Sequence, residues 1–169
     1  MNCFISKRAQ AVIETDLGRF PDTETGGLLL GYSESENGLF VLEATDSGYQ
    51  NTVHTVGSFQ YDNAYEEHLC NFLSQLYQPP LTLVGVWHKH NSAHSGNELP
   101  FSHADELIHR QLMESHHSCI SILFEKTNES GNDIHYNARV FLLSSHGKHR
   151  DITNGTVWDD TSLPVSSVF

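Results

Sequence analysis

Apolar positions along this chain follow two periods, and the changes between them mark out its elements. In residues 7–20, Ala11, Val12 and Leu17 recur at roughly helical spacing, and Pro21-Asp22 closes that helix. Residues 27–32 are short, apolar and bounded by glycine, which predicts a strand. Residues 39–45 predict a second strand, and the turn-like Glu36-Asn37-Gly38 makes the two antiparallel neighbours. Residues 52–60 are ambiguous between strand and loop. The clearest helix is 62–77: Asp62 can cap it, Glu66 and Glu67 sit in its early turns, and Leu69, Phe72, Leu73 and Leu76 form an apolar stripe. Pro79-Pro80 stops it. Residues 81–90 begin apolar on both faces, as an interior strand does. After the polar, glycine-containing stretch 91–100, residues 102–115 predict a helix with Leu107, Ile108, Leu112 and Met113 on its buried side. Residues 119–124 and 134–143 are strands joined by a polar loop at 128–133. The tail after Gly147 carries Trp158 and has room for one more short strand. Strands interleaved with about three helices predict an α/β (α+β) fold around one central mixed sheet.

Composition narrows the class. A chain of 169 residues with 38% hydrophobic and 10% aromatic positions is expected to form one globular domain, burying about 68–70% of its unfolded surface. No apolar run approaches the ~20 residues of a membrane helix. The first residues lack a basic-then-apolar signal pattern, so a cytoplasmic location without membrane contact is expected. Nine Lys plus Arg against 21 Asp plus Glu give a net charge of −12, which argues against a nucleic-acid partner. Cys3, Cys70 and Cys119 lie far apart with no Cys-x-x-Cys pair, so free thiols are expected, buried at Cys70 and Cys119.

Chemistry concentrates in Val84-Gly85-Val86-Trp87-His88-Lys89-His90 and in Ser102-His103-Ala104-Asp105. Alternate side chains of a strand share a face, so His88 and His90 project together with Cα atoms about 6.6 Å apart. Imidazoles at that spacing can meet at one metal, or can simply be hydrogen-bonded strand histidines. Ser102-x-x-Asp105 has the form of a capping box. That use competes with metal binding for the Asp105 carboxylate, whereas a capping Ser102 can also face a site. Two imidazoles and a carboxylate are the donor set of a catalytic zinc with an open position, and His94 rivals Asp105 as the third donor. Glu24, just ahead of Gly26-Gly27, is the candidate general base. The glycines permit a close backbone approach that would aim its carboxylate at a neighbouring strand, although a surface glutamate is the plainer alternative. His103 and His109 face either the site or the helix surface.

Glu24, His88-x-His90 and Ser102-x-x-Asp105 occur in the order of the JAMM motif. With the flanking Glu24-Thr25-Gly26-Gly27-Leu28-Leu29-Leu30-Gly31, the chain resembles the JAB/MPN metalloproteases from about residue 8 to 141. The resemblance implies one MPN-like domain over 1–169, with a core at about 8–143, a flap-like insertion at 91–100 and a C-terminal tail at 147–169. It implies Zn2+ held by His88, His90 and Asp105, with Glu24 as general base and Ser102 as oxyanion donor. Similar family members cleave after the glycine tail of ubiquitin or ubiquitin-like proteins. The short single-domain form resembles bacterial members that accompany ubiquitin-like conjugation operons, anti-phage ones included. The implied partners are therefore a ubiquitin-like protein and its conjugates, with activating and conjugating enzymes in the same pathway. Two departures stand out: Asn91 occupies a place where the family often has proline, and the spacer from His90 to Ser102 is longer than usual. Two other readings fit the same residues. One is a hydrolase of sulfur-carrier adducts or small-molecule amides. The other is a non-catalytic MPN scaffold, although such scaffolds usually lose ligands and here every position is filled.

Overall fold

The computed structural model describes residues 2–34, 38–91, 100–116, 118–127, 135–144 and 148–158. Strand β1 (Cys3–Ile5) leads into helix α1 (Lys7–Arg19), followed by β2 (Gly26–Glu34) and β3 (Gly38–Ala44). A two-stranded hairpin, β4 (Val53–His54) and β5 (Phe59–Gln60), precedes helix α2 (Asn63–Gln75) and strand β6 (Thr82–His90). Helix α3 (His103–Ser115), β7 (Cys119–Thr127), β8 (His135–Leu143), β9 (His149–Asp151), a 3-10 turn at Thr153–Gly155 and β10 (Thr156–Trp158) complete the described chain. The fold is the expected α+β one, a mixed sheet with three helices.

Eight strands form one sheet in the order β10-β1-β3-β2-β6-β7-β8-β9. β2 pairs antiparallel with both β3 and β6, as the hairpin signal predicted for the first pair, while β6 and β7 run parallel. The last two strands sit at opposite edges, yet only the segment from Asp151 to Thr156 joins them. Such a segment spans at most about 18 Å, whereas a flat sheet of this width would separate its edges by about 33 Å. The sheet is therefore strongly curled. The tail supplies two short strands where one was expected, and Trp158 reaches the Phe124 ring at 6.1 Å.

The curl encloses the main core, where Leu29, Val41, Val84, Trp87 and Ile122 meet α1. α1 turns Ala9, Ile13 and Leu17 inward at i, i+4 and i+8, a face displaced from the expected Ala11 and Val12. Its cap is bifunctional: Ser6 Oγ accepts the Ala9 N–H at 3.1 Å and donates to the Leu42 carbonyl at 2.6 Å. A smaller cluster, Leu30, Leu42, Tyr77 and Leu81, lies under α2. Asp62 caps α2 as predicted.

Two apolar stripes did not land where the pattern put them. Phe72 and Leu76 of α2 are 57% and 41% exposed, and Leu107 and Ile108 of α3 are 52% and 37% exposed. Each helix instead buries one polar residue, Glu66 in α2 and His109 in α3. Glu66 turns inward because the Thr45 hydroxyl donates to it at 2.8 Å. His109 turns inward onto Phe101 and His149. All three cysteines are free; Cys3 and Cys119 are buried, while Cys70 is half-buried. Among the described residues no helix is long and apolar enough to cross a membrane.

Close strand packing makes a direct prediction. A Cβ on Gly85 would lie 2.2 Å from the Ile120 carbonyl oxygen, a backbone atom that can move only with β7. Gly85→Ala should therefore destabilise the fold by about 1–3 kcal/mol, the usual range for overpacking. Urea unfolding, with an unchanged m-value and a lower midpoint, is the measurement; an unaltered midpoint would contradict the packing described.

Candidate metal centre

Strand β6 ends by presenting His88 and His90 on one face, both buried at 5% and 8% exposure. Their Nε2 atoms are 3.1 Å apart. Asp105, in the first turn of α3, brings Oδ1 to 3.5 Å from His88 Nε2 and Oδ2 to 3.5 Å from His90 Nε2. Metal bonds of about 2.0–2.1 Å in tetrahedral geometry give donor–donor edges of about 3.3–3.4 Å. The separations lie near that edge, with the two Asp105 distances running to different oxygens, so the three residues could hold one small divalent cation. Among the described residues this is the cluster of three possible ligands that converges. His94, the rival third donor, lies outside the described residues, as do 92–99 of the expected flap.

The same packing shifts the protonation of all three residues. Burial pushes His88 down to about 4, against the pull of Asp105, which keeps the ring neutral and able to donate a lone pair. Burial also opposes charge on His90, but the hydrogen bond and charge of Asp105, with Glu24 and Glu125, lift it above its ordinary value. Burial alone would raise Asp105. The His90 hydrogen bond, the His88 charge and two hydrogen bonds from Ser102 hold it well below the carboxylate range.

Cap and candidate metal ligand, set against each other in the sequence, are compatible at Asp105. Ser102 Oγ accepts the Asp105 N–H at 3.2 Å, and Asp105 Oδ2 accepts the Ser102 N–H at 2.7 Å, a complete capping box. The hydrogen bonds from Ser102 occupy at most two lone pairs, and a carboxylate offers about four. The cap thus orients the carboxylate, leaving both oxygens facing the histidines.

Glu24 stands between α1 and β2. The glycine pair that follows is required by space: a Cβ on Gly26 would lie 2.5 Å from the Trp87 carbonyl oxygen, and one on Gly27 would lie 2.3 Å from that of Thr45. Neither glycine has a positive φ. This closeness sets Gly26 opposite His88 in the β2–β6 register. Glu24 is half-buried and near enough for His90 and Asp105 to act on its charge. Burial raises its carboxyl above the ordinary value, Asp105 adds to the rise, and His90 and Lys89 oppose it.

Lys89, between the two histidines, turns its side chain to the other face of β6 and is fully buried. Its ammonium donates to the Phe20 carbonyl and lies 5.5 Å from the Tyr136 ring centroid; burial pushes it down to about 8. Its backbone N–H donates to the Thr25 carbonyl at 2.8 Å. Thr25 Oγ1 in turn donates to buried Asp16 at 2.5 Å. These bonds tie the Glu24 loop to the strand that carries the histidines.

The structure adds residues that the motif did not name. The Phe101 ring packs 4.7 Å from His109, 4.8 Å from His149 and 6.3 Å from His88. His109 Nδ1 and His149 Nε2 are 3.0 Å apart. His109 was open to discovery, because it lies four residues after Asp105 and hence on the same helix face. His149 is remote in sequence, and nothing there marked it. His103 is exposed.

No family model matches the chain. Over 90 residues it is 30% identical to a probable metalloprotease, y4qB, of Sinorhizobium fredii (strain NBRC 101917 / NGR234). That match takes in 52% of this chain and 54% of the relative, so the chain spans about half the length of the curated protein it matches. In three dimensions it is similar to the solution structure of protein DSY2949 from Desulfitobacterium hafniense, with a TM-score of 0.60, 12% identity and coverage of 96% and 95% of the two chains. At that identity the likeness speaks for the fold alone. The partial match and the His88–His90–Asp105 cluster together suggest a metalloprotease that binds a metal.

Asp105→Asn separates the two duties of this residue. Asparagine can still accept at the cap, so the helical circular dichroism should persist. Losing an outer partner of a ligand typically weakens metal affinity about 10–100-fold, and losing a ligand should exceed that. Metal content after dialysis against a weak chelator should fall well below that of the wild type. Full retention would leave Asp105 as a cap only.

Proposed function

We propose that this chain is a zinc-dependent peptidase or isopeptidase of the JAB/MPN type, cleaving after the C-terminal glycine of a ubiquitin-like protein or its conjugates. The observation that carries this reading is the convergence of His88, His90 and Asp105 beside a half-buried Glu24 whose carboxyl is raised by burial. A base with a raised pKa holds a proton more readily after taking it up.

A zinc ion held by the three donors would supply Lewis acidity, acidifying a water molecule and polarising the scissile carbonyl. Glu24 takes the proton that water loses as its oxygen bonds to the carbonyl carbon. It returns that proton to the amine as the C–N bond breaks. Ser102 Oγ accepts the Asp105 N–H, and its hydroxyl hydrogen turns from the Asp105 carboxylate to donate to the developing oxyanion. Such a donor is typically worth about 10²–10³ in rate.

Glycine specificity is supported by the space next to the donors. A slot lined by Phe59, Tyr61, Val86 and Ile108, beside His88 and Asp105, has a volume of about 20 Å³. So small a space leaves little room for a side chain next to the donors. A glycine tail also pairs its backbone with a strand edge unhindered.

Glu24→Gln should keep the metal and lower kcat by at least about 10², the scale of general acid–base catalysis. A ubiquitin-like fusion ending in Gly-Gly should be cut and one ending in Ala-Ala spared. Equal cleavage of the two removes the glycine specificity. Cleavage of neither fusion, with hydrolysis of a small acyl-amide, moves the substrate to the small-molecule class.

A further inference from the structure

Glu24 belongs to no strand or helix, yet both its backbone groups are held. Its N–H donates to the Thr55 carbonyl at 2.7 Å, and its carbonyl accepts from His54 Nδ1 at 2.9 Å. A carbonyl can only accept, so Nδ1 carries the hydrogen. The His54 ring is stacked on Phe20, with centroids 3.7 Å apart and planes 12° from parallel. Phe20 is the residue whose carbonyl Lys89 grips. Two consecutive residues of the β4–β5 hairpin thus clasp the candidate base from one side.

That hairpin has little else to hold it. Each of its strands is two residues long, and a short isolated hairpin is marginal in water. Val53 and Val56 are exposed, so burial does not fix it. It has two other moorings at the site. The Phe59 ring closes on Gly26, where an added Cβ would meet Phe59 Cζ at 2.4 Å. Asn91 Nδ2 donates to the Val56 carbonyl at 2.7 Å. Asn91 directly follows His90, so this bond ties the hairpin tip to the strand that delivers both histidines. A proline at 91 would have no such donor.

We propose that His54 and Asn91 are positioning residues, which fasten the 53–60 hairpin across the site from opposite sides and thereby fix Glu24 against His88, His90 and Asp105. The proposal rests on Glu24 being the base of the reaction proposed above. The two residues hold the hairpin through separate hydrogen bonds; they act through one element, and the signature of that is non-additivity.

The test uses the metal-loaded protein and four variants: His54→Phe, which can keep the stack on Phe20 but has no donor; His54→Asn, whose amide nitrogen can reach the place of Nδ1; Asn91→Ala; and the His54→Phe/Asn91→Ala double variant. Hydrogen exchange at the Glu24 amide should quicken tenfold or more in His54→Phe and in Asn91→Ala. The double variant should be no faster than the faster single one, and His54→Asn should stay within about threefold of wild type. Exchange in β7 and metal content should not change. On the Gly-Gly fusion, kcat should fall about tenfold in each single variant with KM within twofold. Unchanged Glu24 exchange in either single variant overturns the proposal. So does a double variant equal to the product of the singles, or a rise in β7 exchange that matches the rise at Glu24. If the wild type leaves the fusion intact while the exchange pattern holds, the positioning stands and the proposed reaction fails.

Discussion

The antiparallel pairing of β2 with β6 is the contact on which the site depends. It works only because Gly26 and Gly27 have no side chains, since any Cβ there would strike the backbone of Trp87 or Thr45. That contact sets the register that puts Gly26 opposite His88 and Gly27 opposite Trp87. Glu24, two residues earlier, then leaves the sheet beside the end of β6, where His90 lies. The motif's glycines and its glutamate thus form one device, in which the glycines set the distance and the glutamate uses it.

Behind this contact the molecule keeps polar groups inside its core. Asp16 is fully buried, accepts from Thr25 and pairs with Arg19 at 3.0 Å; Arg19 also reaches Asp46 at 2.9 Å. The Thr45 hydroxyl donates to Glu66, whose carboxyl burial pushes up to about 8, and the Thr45 carbonyl accepts Trp87 Nε1–H at 2.9 Å. Burying carboxylates is costly unless they are paired or neutralised. Here hydroxyls and one arginine share that task. Of the threonines that satisfy these acids, Thr25 directly precedes Gly26 and Thr45 lies against Gly27, so the interior network and the candidate site meet at the glycine strand.

Much of this was legible because it depends on local spacing. The helices begin at Ser6, Asp62 and Ser102, each with the capping side chain that marks a start. His88 and His90 share a face because strand period is fixed at two. The candidate third donor was harder to read, because a four-residue pattern says which groups are near and not how many bonds each carboxylate oxygen can accept. The failures were tertiary. Phe72, Leu76, Leu107 and Ile108 fit a helical stripe, but buried polar contacts at Glu66 and His109 rotated both helices away from it. The ambiguity at 52–60 has a similar cause: that hairpin is held by Glu24, Gly26 and Asn91, and its own composition carries no sign of them.

The curl of the sheet also separates the order of synthesis from the order of closure. Every candidate donor, and the whole of β7, lies before residue 128. The β1 edge, with fully buried Cys3 and Ile5, is covered by β10 only when residues 156–158 arrive. At about 5–20 residues per second, that interval is roughly 2–6 seconds on a translating ribosome. For that time β1 keeps an unpaired edge, the exposed template that invites pairing with another chain. In the growing chain, one edge of β1 therefore stays open until after the strand and helix that bear the candidate donors have been made.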